Sequence, residues 1–238
     1  MRGKSMSSAL MVLVVATLLS AAPGYVCAQV RTDIHWGEAR DDDGNLLYRE
    51  KHEVRYENGR VQNSLTSYRD PSGREFARLE SDYRLSIMMP TYVFSDSRRG
   101  HREGLRFEGG RYYIFDEDSG EAEKTKVLDD DTNVYSCQGW HYYLVNNLDK
   151  LEGGDALEVR LIFPNRLQPY TFKILSLGSE GDTIRVKVRI ANWLLSLFVP
   201  HLEVVYDKNK RKLIEYHGVS NIVDAEGKLQ KVHITYKY

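Results

Sequence analysis

The sequence has little cysteine, no excess of either charge and no hydrophobic run long enough to cross a bilayer. It contains 2 cysteines in 238 residues, and 33 basic side chains stand against 34 acidic ones. This balance argues against a dedicated nucleic-acid surface. The longest aliphatic run, residues 9–22, is shorter than the roughly 20 residues of a transmembrane helix. An apolar content of 42% with 16 tyrosines also excludes a disordered chain.

Motifs of the common catalytic and metal sites are absent as well. There is no G-x-S-x-G, no P-loop and no H-E-x-x-H, and the 7 histidines are scattered singly. Residues 41–45 and 116–121 look like calcium loops but do not complete the EF-hand spacing, so we interpret both as solvated turns. We therefore predict no enzyme, no cofactor and no metal site.

Residues 1–28 have the pattern of a secretory signal peptide. Arg2 and Lys4 supply its positive start, the run 9–22 its apolar core, and residues 26–28 the small or modest side chains that the peptidase reads. Cleavage would make Gln29 the first mature residue. We predict export, with residues 29–238 as a single β-rich domain that does not span the membrane.

Cys27 offers an alternative, in which this cysteine is lipidated and becomes the first residue of a lipoprotein. The bulky Tyr25 before it departs from the small residues of a lipidation box. Either way the mature chain has 31 basic and 34 acidic side chains. With normal cleavage it keeps only Cys137, which we interpret as a small core residue rather than a nucleophile.

Most of the mature chain shows the alternation of half-buried β-strands. Apolar and charged residues alternate over 157–163, 170–174, 184–190 and 232–236, which is typical of antiparallel sheets with one wet face. Turn sequences separate such runs by about ten residues: Asp43-Gly44, Asn58-Gly59, Pro71-Ser72-Gly73, Gly109-Gly110, Ser119-Gly120, Gly181-Asp182 and Glu226-Gly227. We predict a mainly β fold, with a long curled antiparallel sheet or incomplete β-barrel.

Two segments depart from this rhythm. Residues 133–151 carry an apolar stripe at helical spacing, with Thr132 as a candidate cap and Gly153-Gly154 as a stop, so we predict one main helix on the concave side of the sheet. Residues 193–202 are almost uninterruptedly apolar and contain Pro200. They fit either a buried corner that plugs the sheet or the rim of an apolar cavity.

The C-terminal half resembles known exported proteins. The resemblance is carried by the helix with Trp140 and Tyr143, by Leu151-Glu152-Gly153-Gly154-Asp155, and by the run 213–222. It points to uncharacterised envelope proteins of Gram-negative bacteria, which are domains of unknown function. More distantly, the layout is similar to the periplasmic carriers of lipoproteins, whose incomplete barrel encloses a hydrophobic cavity. The resemblance implies a periplasmic location and carries over no functional residue.

These features lead to two functional hypotheses. In the first, a non-enzymatic periplasmic protein binds or carries a lipid or another apolar ligand in the sheet concavity. The predicted lining residues are Trp140, Tyr143, Leu144, Leu148, Trp193, Leu197 and Phe198. In the second, the core is filled and the protein is an envelope interaction or assembly factor with a protein partner.

Overall fold

The computed structural model describes residues 29–129, 133–194 and 201–238. Within these ranges the chain forms one sheet of 15 strands with a single α-helix and a 3₁₀ turn. The strands before the helix are β1 Val30–Arg40, β2 Leu46–Glu57, β3 Arg60–Arg69, β4 Glu75–Asp82, β5 Thr91–Asp96, β6 His101–Glu108, β7 Arg111–Glu117, β8 Lys124–Val127 and β9 Val134–Tyr135. The helix α1 is Trp140–Glu152, and it is followed by β10 Leu157–Phe163, the 3₁₀ turn Pro164–Arg166, β11 Gln168–Glu180, β12 Thr183–Ile190, β13 Leu202–Asp207, β14 Lys212–Val223 and β15 Leu229–Lys237.

The sheet consists of two meanders joined at its centre. Its strand order runs from β8 back to β1, then to β15, and from there back to β9. The first and last strands of the chain are therefore neighbours, with Trp36 opposite Lys237 and Arg40 opposite His233. All pairs are antiparallel except β9 with β10.

The sheet curls until its two edge regions touch, but it does not close. No backbone ladder joins β8 to β9 in the part of the chain that the structure describes. Instead, Val134 and Ile162 from one edge region pack in the same hydrophobic cluster as Leu105 and Ile114 from the other. Side-chain burial therefore draws together edges that share no hydrogen-bonded register. The predicted incomplete barrel is confirmed in this sense.

The strands and turns follow the sequence pattern closely. All four alternating runs lie in strands, and the seven turn sequences connect consecutive strands. Asn58 and Gly59, between β2 and β3, have φ of 50° and 76°. Positive φ at both central residues matches the twist of the flanking strands, which explains the asparagine-glycine pair.

The helix is shorter at its start than the predicted 133–151. Residues 134–135 instead form β9, which pairs in parallel with Arg160 and Leu161 of β10. The helix begins at Trp140 with Gly139 as its N-cap, while the candidate cap Thr132 lies outside the described residues. The predicted stop is confirmed, because α1 ends at Glu152 and Gly153 is its C-cap.

Two further expectations require correction. Trp193 and Leu194 are 70% and 52% exposed, so the buried-corner interpretation is wrong for these two residues. Asp116 was expected in a solvated turn, but it lies in β7 and is only 7% exposed. The sequence pattern placed this turn too early, because β7 continues to Glu117 and leaves only the residues after it to form the turn.

Candidate functional site

The helix lies on the same face of the sheet as the rest of the core. Directly paired residues of adjacent strands project to one face. The register links Val204 to Tyr216, Tyr216 to Ile234, Ile234 to Ala39 and Ala39 to Tyr48. Val204 packs in the hydrophobic cluster beneath α1, and Tyr48 packs in the first hydrophobic cluster, which joins residues of β1–β7 with residues of β9, β10, β14 and β15. Both clusters therefore occupy the concave side.

The predicted helical lining residues are brought together, but they pack against the sheet. Leu144 and Leu148 are 0% and 2% exposed and contact apolar residues of β10–β13. Trp140 and Tyr143 are partly buried against the same cluster, and the Tyr143 hydroxyl donates to the Glu158 carbonyl at 3.3 Å. These four side chains therefore contribute to a packed core in the described structure.

Of the remaining predicted lining residues, one is exposed and two lie outside the described part of the chain. Trp193 lies between β12 and β13 and is strongly exposed. Leu197 and Phe198 lie outside the described residues. The segment that was expected to form a rim is thus described only at its two ends.

Two depressions are the best formed among the described residues, and neither borders α1. One, of about 270 Å³, lies among inter-strand turns and is lined in part by Leu47, Tyr48, Phe76 and Ile222. The other, of about 370 Å³, is a shallow groove beside His101. The first is slightly smaller than the roughly 300–1,000 Å³ of usual ligand pockets, and the second is open to solvent.

A buried polar network crosses the concave side on β1, β2, β3 and β15. Glu50 is 5% exposed, and its Oε2 accepts hydrogen bonds from His52 Nε2 at 2.9 Å and from the Tyr236 hydroxyl at 3.2 Å. His52 Nδ1 lies 2.9 Å from the Thr66 hydroxyl oxygen. The register accounts for this convergence, because Glu50 is opposite Gly37 and His52 is opposite Thr66.

Aromatic rings extend this network along the strands, towards the C-terminal end of β15. The rings of His52 and His35 stack at 4.5 Å, those of His35 and Tyr238 at 4.6 Å, and the Lys212 ammonium lies 4.0 Å from the Tyr238 ring. On the helix, His141 Nδ1 lies 3.0 Å from the Tyr206 hydroxyl. Four groups thus form one stack, and His141 with Tyr206 forms a second pair.

Burial sets the protonation of this region. Burial and the nearby His52 lower the pKa of His35 to about 3, and the same two causes lower the pKa of His141 to about 4. Both imidazoles are therefore neutral near pH 7. Burial, followed by the charge of Glu50, raises the pKa of Tyr236, so its hydroxyl keeps its proton and can donate.

The Thr66–His52–Glu50 row has the hydrogen-bond order of an activated hydroxyl nucleophile. Thr66, however, is 4% exposed, and neither described depression reaches it. The row therefore satisfies buried polar groups without exposing a nucleophile. Cys137 is similar, since burial raises the pKa of its thiol to about 12 and Sγ donates to the Ile162 carbonyl at 2.8 Å.

The sequence did contain a signal for this network that the predictions missed. Tyr48, Glu50 and His52 occur at a spacing of two and therefore share one strand face. A carboxylate that faces the core between two aromatic residues needs hydrogen-bond donors, and neighbouring residues and other strands supply them.

The comparisons with known proteins are few. No family model and no curated protein matches this chain. A solved structure, the beta-barrel-like protein of domain of unknown function DUF1849 from Brucella abortus, matches with a TM-score of 0.44 at 10% sequence identity. The match covers 88% of this chain and 98% of that chain. Among the described residues, the one helix is too short and too polar to cross a bilayer.

Proposed function

We propose that this is an exported, non-enzymatic periplasmic protein that acts through its surface, as an interaction or assembly factor of the bacterial envelope. The observation that carries the proposal is the packing of the concave side. Among the described residues two hydrophobic clusters pack on it, and Tyr216 contacts both. Because packed side chains occupy this side, we assign the contact with other molecules to the outer surface.

The export part of the proposal rests on the signal-peptide pattern of residues 1–28. Cleavage before Gln29 releases a soluble periplasmic domain, and lipidation at Cys27 would tether it instead. The mass of the mature protein distinguishes the two, because lipidation adds acyl chains to a chain that begins at Cys27.

The contact surface that we propose begins at Trp193 and Leu194. Large exposed apolar side chains next to each other mark interaction sites more often than single ones. These two side chains open an apolar run that the sequence continues to Leu202. Tryptophan is also enriched among the residues that dominate binding energies.

A photo-reactive amino acid placed at residue 193 tests this surface in the source cells. We expect one cross-linked adduct of defined mass, which disappears when Leu194→Asp is added. The same amino acid at Leu229 is the control, because Leu229 is 69% exposed against 70% for Trp193. Equal adducts at both positions, or an adduct that survives Leu194→Asp, would contradict the proposal.

The second candidate function is binding of an apolar or lipid-like ligand, as the resemblance to lipoprotein carriers suggests. The observation that favours it is the apolar part of the 270 Å³ depression, formed by Leu47, Tyr48, Phe76 and Ile222. This space suits a short apolar group. Native mass spectrometry of the protein purified from its source decides between the two, since a stoichiometric lipid adduct supports the carrier and an empty protein supports the interaction factor.

A further inference from the structure

Four ionisable side chains converge on one face of the β6–β7 hairpin. Glu103 and Asp116 are directly paired across the ladder. His101 lies two residues from Glu103, and Asp118 two residues from Asp116, so all four project to the same face. The register places them on the same face as the interior network of Glu50, His52 and Tyr236, but they share no residue with it.

The distances suit the ligands of a single metal ion. His101 Nε2 lies 3.5 Å from Glu103 Oε2 and 3.9 Å from Asp116 Oδ1. One ligand atom from each residue falls within 4.8 Å of the other two. Tetrahedral bonds of about 2.1 Å place ligand atoms about 3.4 Å apart. Small side-chain rotations would bring the three atoms to that spacing.

Asp116 supplies an independent indication of a missing partner. Its side chain is nine-tenths buried, and its Oδ1 has no hydrogen-bond donor. Buried carboxylate oxygens are normally hydrogen-bonded or bound to a metal. This oxygen lies 3.9 Å from His101 Nε2, the ring nitrogen that does not face Asp118.

The other nitrogen of His101 is already oriented. Nδ1 lies 2.9 Å from Asp118 Oδ1, which is the carboxylate–histidine arrangement found behind metal-binding imidazoles. The turns that precede His101 and follow Asp118 pack closely against each other, because a Cβ on Gly100 would lie 2.8 Å from Ser119 Cβ. His101 also lines the shallow 370 Å³ groove.

We propose that His101 Nε2, Glu103 and Asp116 bind one divalent first-row transition-metal ion, with Asp118 as the residue that orients His101. Imidazole with two carboxylates favours Zn²⁺ over Mn²⁺, and both over the alkaline-earth ions. Water completes the coordination. The sequence analysis predicted no metal site, because the ligands of this site come from two strands. Their pairing depends on the strand register, which a linear sequence motif does not reveal.

Hydrogen bonding to Glu103, then to Asp118, raises the pKa of His101 to about 9 although burial opposes it. Burial, followed by the charges of Glu103 and Asp118, raises the pKa of Asp116, and His101 opposes this shift. The carboxylates thus concentrate negative charge around His101.

Titration calorimetry of the metal-stripped mature protein with ZnCl₂ tests the site. We expect one ion per chain at micromolar affinity or tighter, at least tenfold weaker binding in Asp116→Asn and Glu103→Gln, and about 10–100-fold weaker binding in Asp118→Asn. Glu117→Gln is the matched control. Glu117 also lies on β7, but it faces the opposite side and pairs with Arg102 at 3.1 Å.

The variants are checked for folding by circular dichroism, and Glu103→Gln and Asp118→Asn keep the test valid if Asp116→Asn does not fold. Unchanged stoichiometry and affinity in the folded site variants would place zinc on other histidines and overturn the proposal. So would the absence of binding to the wild-type protein, or a loss of affinity in Glu117→Gln equal to that of the site variants.

Discussion

At the scale of single residues, the buried carboxylate of Glu50 shows how the interior accommodates a polar group. Glu50 keeps its hydrogen bonds to His52 and Tyr236 because Gly37, directly opposite, leaves room for them. A Cβ at residue 37 would lie 3.0 Å from Tyr236 Cε1 and 3.2 Å from Glu50 Oε2. A buried polar group is tolerated only with such partners, which makes the network a fixed part of the fold.

His141 predicts how stability depends on pH. Its pKa is about 4 in the folded protein, against 6.5 when unperturbed, so the unfolded chain binds more protons between these values. Stability is therefore lost as pH falls from about 6.5 towards 4. Between pH 7 and pH 4.5 the wild type should lose about 2–3 kcal/mol of unfolding free energy through His141. The His141→Gln variant lacks this group, so its unfolding free energy should fall by that much less over the same pH range. Urea unfolding at both pH values measures it.

His233→Gln is the matched control for this effect. The His233 side chain is 50% exposed, and it faces away from the concave side. This variant should keep the wild-type dependence on pH. If His141→Gln also kept that dependence, His141 would not be the group that titrates.

At the scale of elements, the start of the helix is set by close packing. Gly139, its N-cap, sits directly against the loop before β5, where a Cβ would be 1.9 Å from the Met88 carbonyl oxygen. The Ser136 amide also donates to this carbonyl, at 3.2 Å. Only glycine lets the two backbones approach this closely.

Gly139→Ala should therefore destabilise the protein by about 1–3 kcal/mol or more, because the Met88 backbone must move. Urea unfolding with an unchanged m-value would report this as a lower midpoint. Gly153→Ala, at the other end of α1, is the control, since its Cβ would meet no atom closer than 3.4 Å. Equal shifts in both variants would contradict the packing explanation.

The same elements show what the sequence could predict. The strand at 184–190 was recognisable because an alternating pattern reports one buried face directly. The start of α1 was not, since Gly139 offers no capping side chain and the first turn has no acidic residue. Residues such as Glu103 and Asp116 could not be paired in advance, because their contact depends on a strand register that local sequence does not specify.

At the scale of the whole molecule, β15 joins the two meanders. It pairs with β1 on one side and with β14 on the other. Ile234 is 4% exposed, packs in the first hydrophobic cluster, and lies opposite both Ala39 and Tyr216. Because Tyr216 also contacts the cluster beneath the helix, the two halves should unfold as one cooperative unit.

Ile234→Ala should thus lower the free energy of unfolding of both halves by about 2–5 kcal/mol, although the substitution lies in one strand. Native-state hydrogen exchange followed by mass spectrometry measures the loss separately for β3–β5 and for β11–β12. Val127→Ala, in the edge strand β8 and 38% exposed, is the control and should cost less than about 0.5 kcal/mol. If β11–β12 kept full protection while β3–β5 lost theirs, the meanders would be independent units, and the central β1–β15 pairing would align them without coupling their stability.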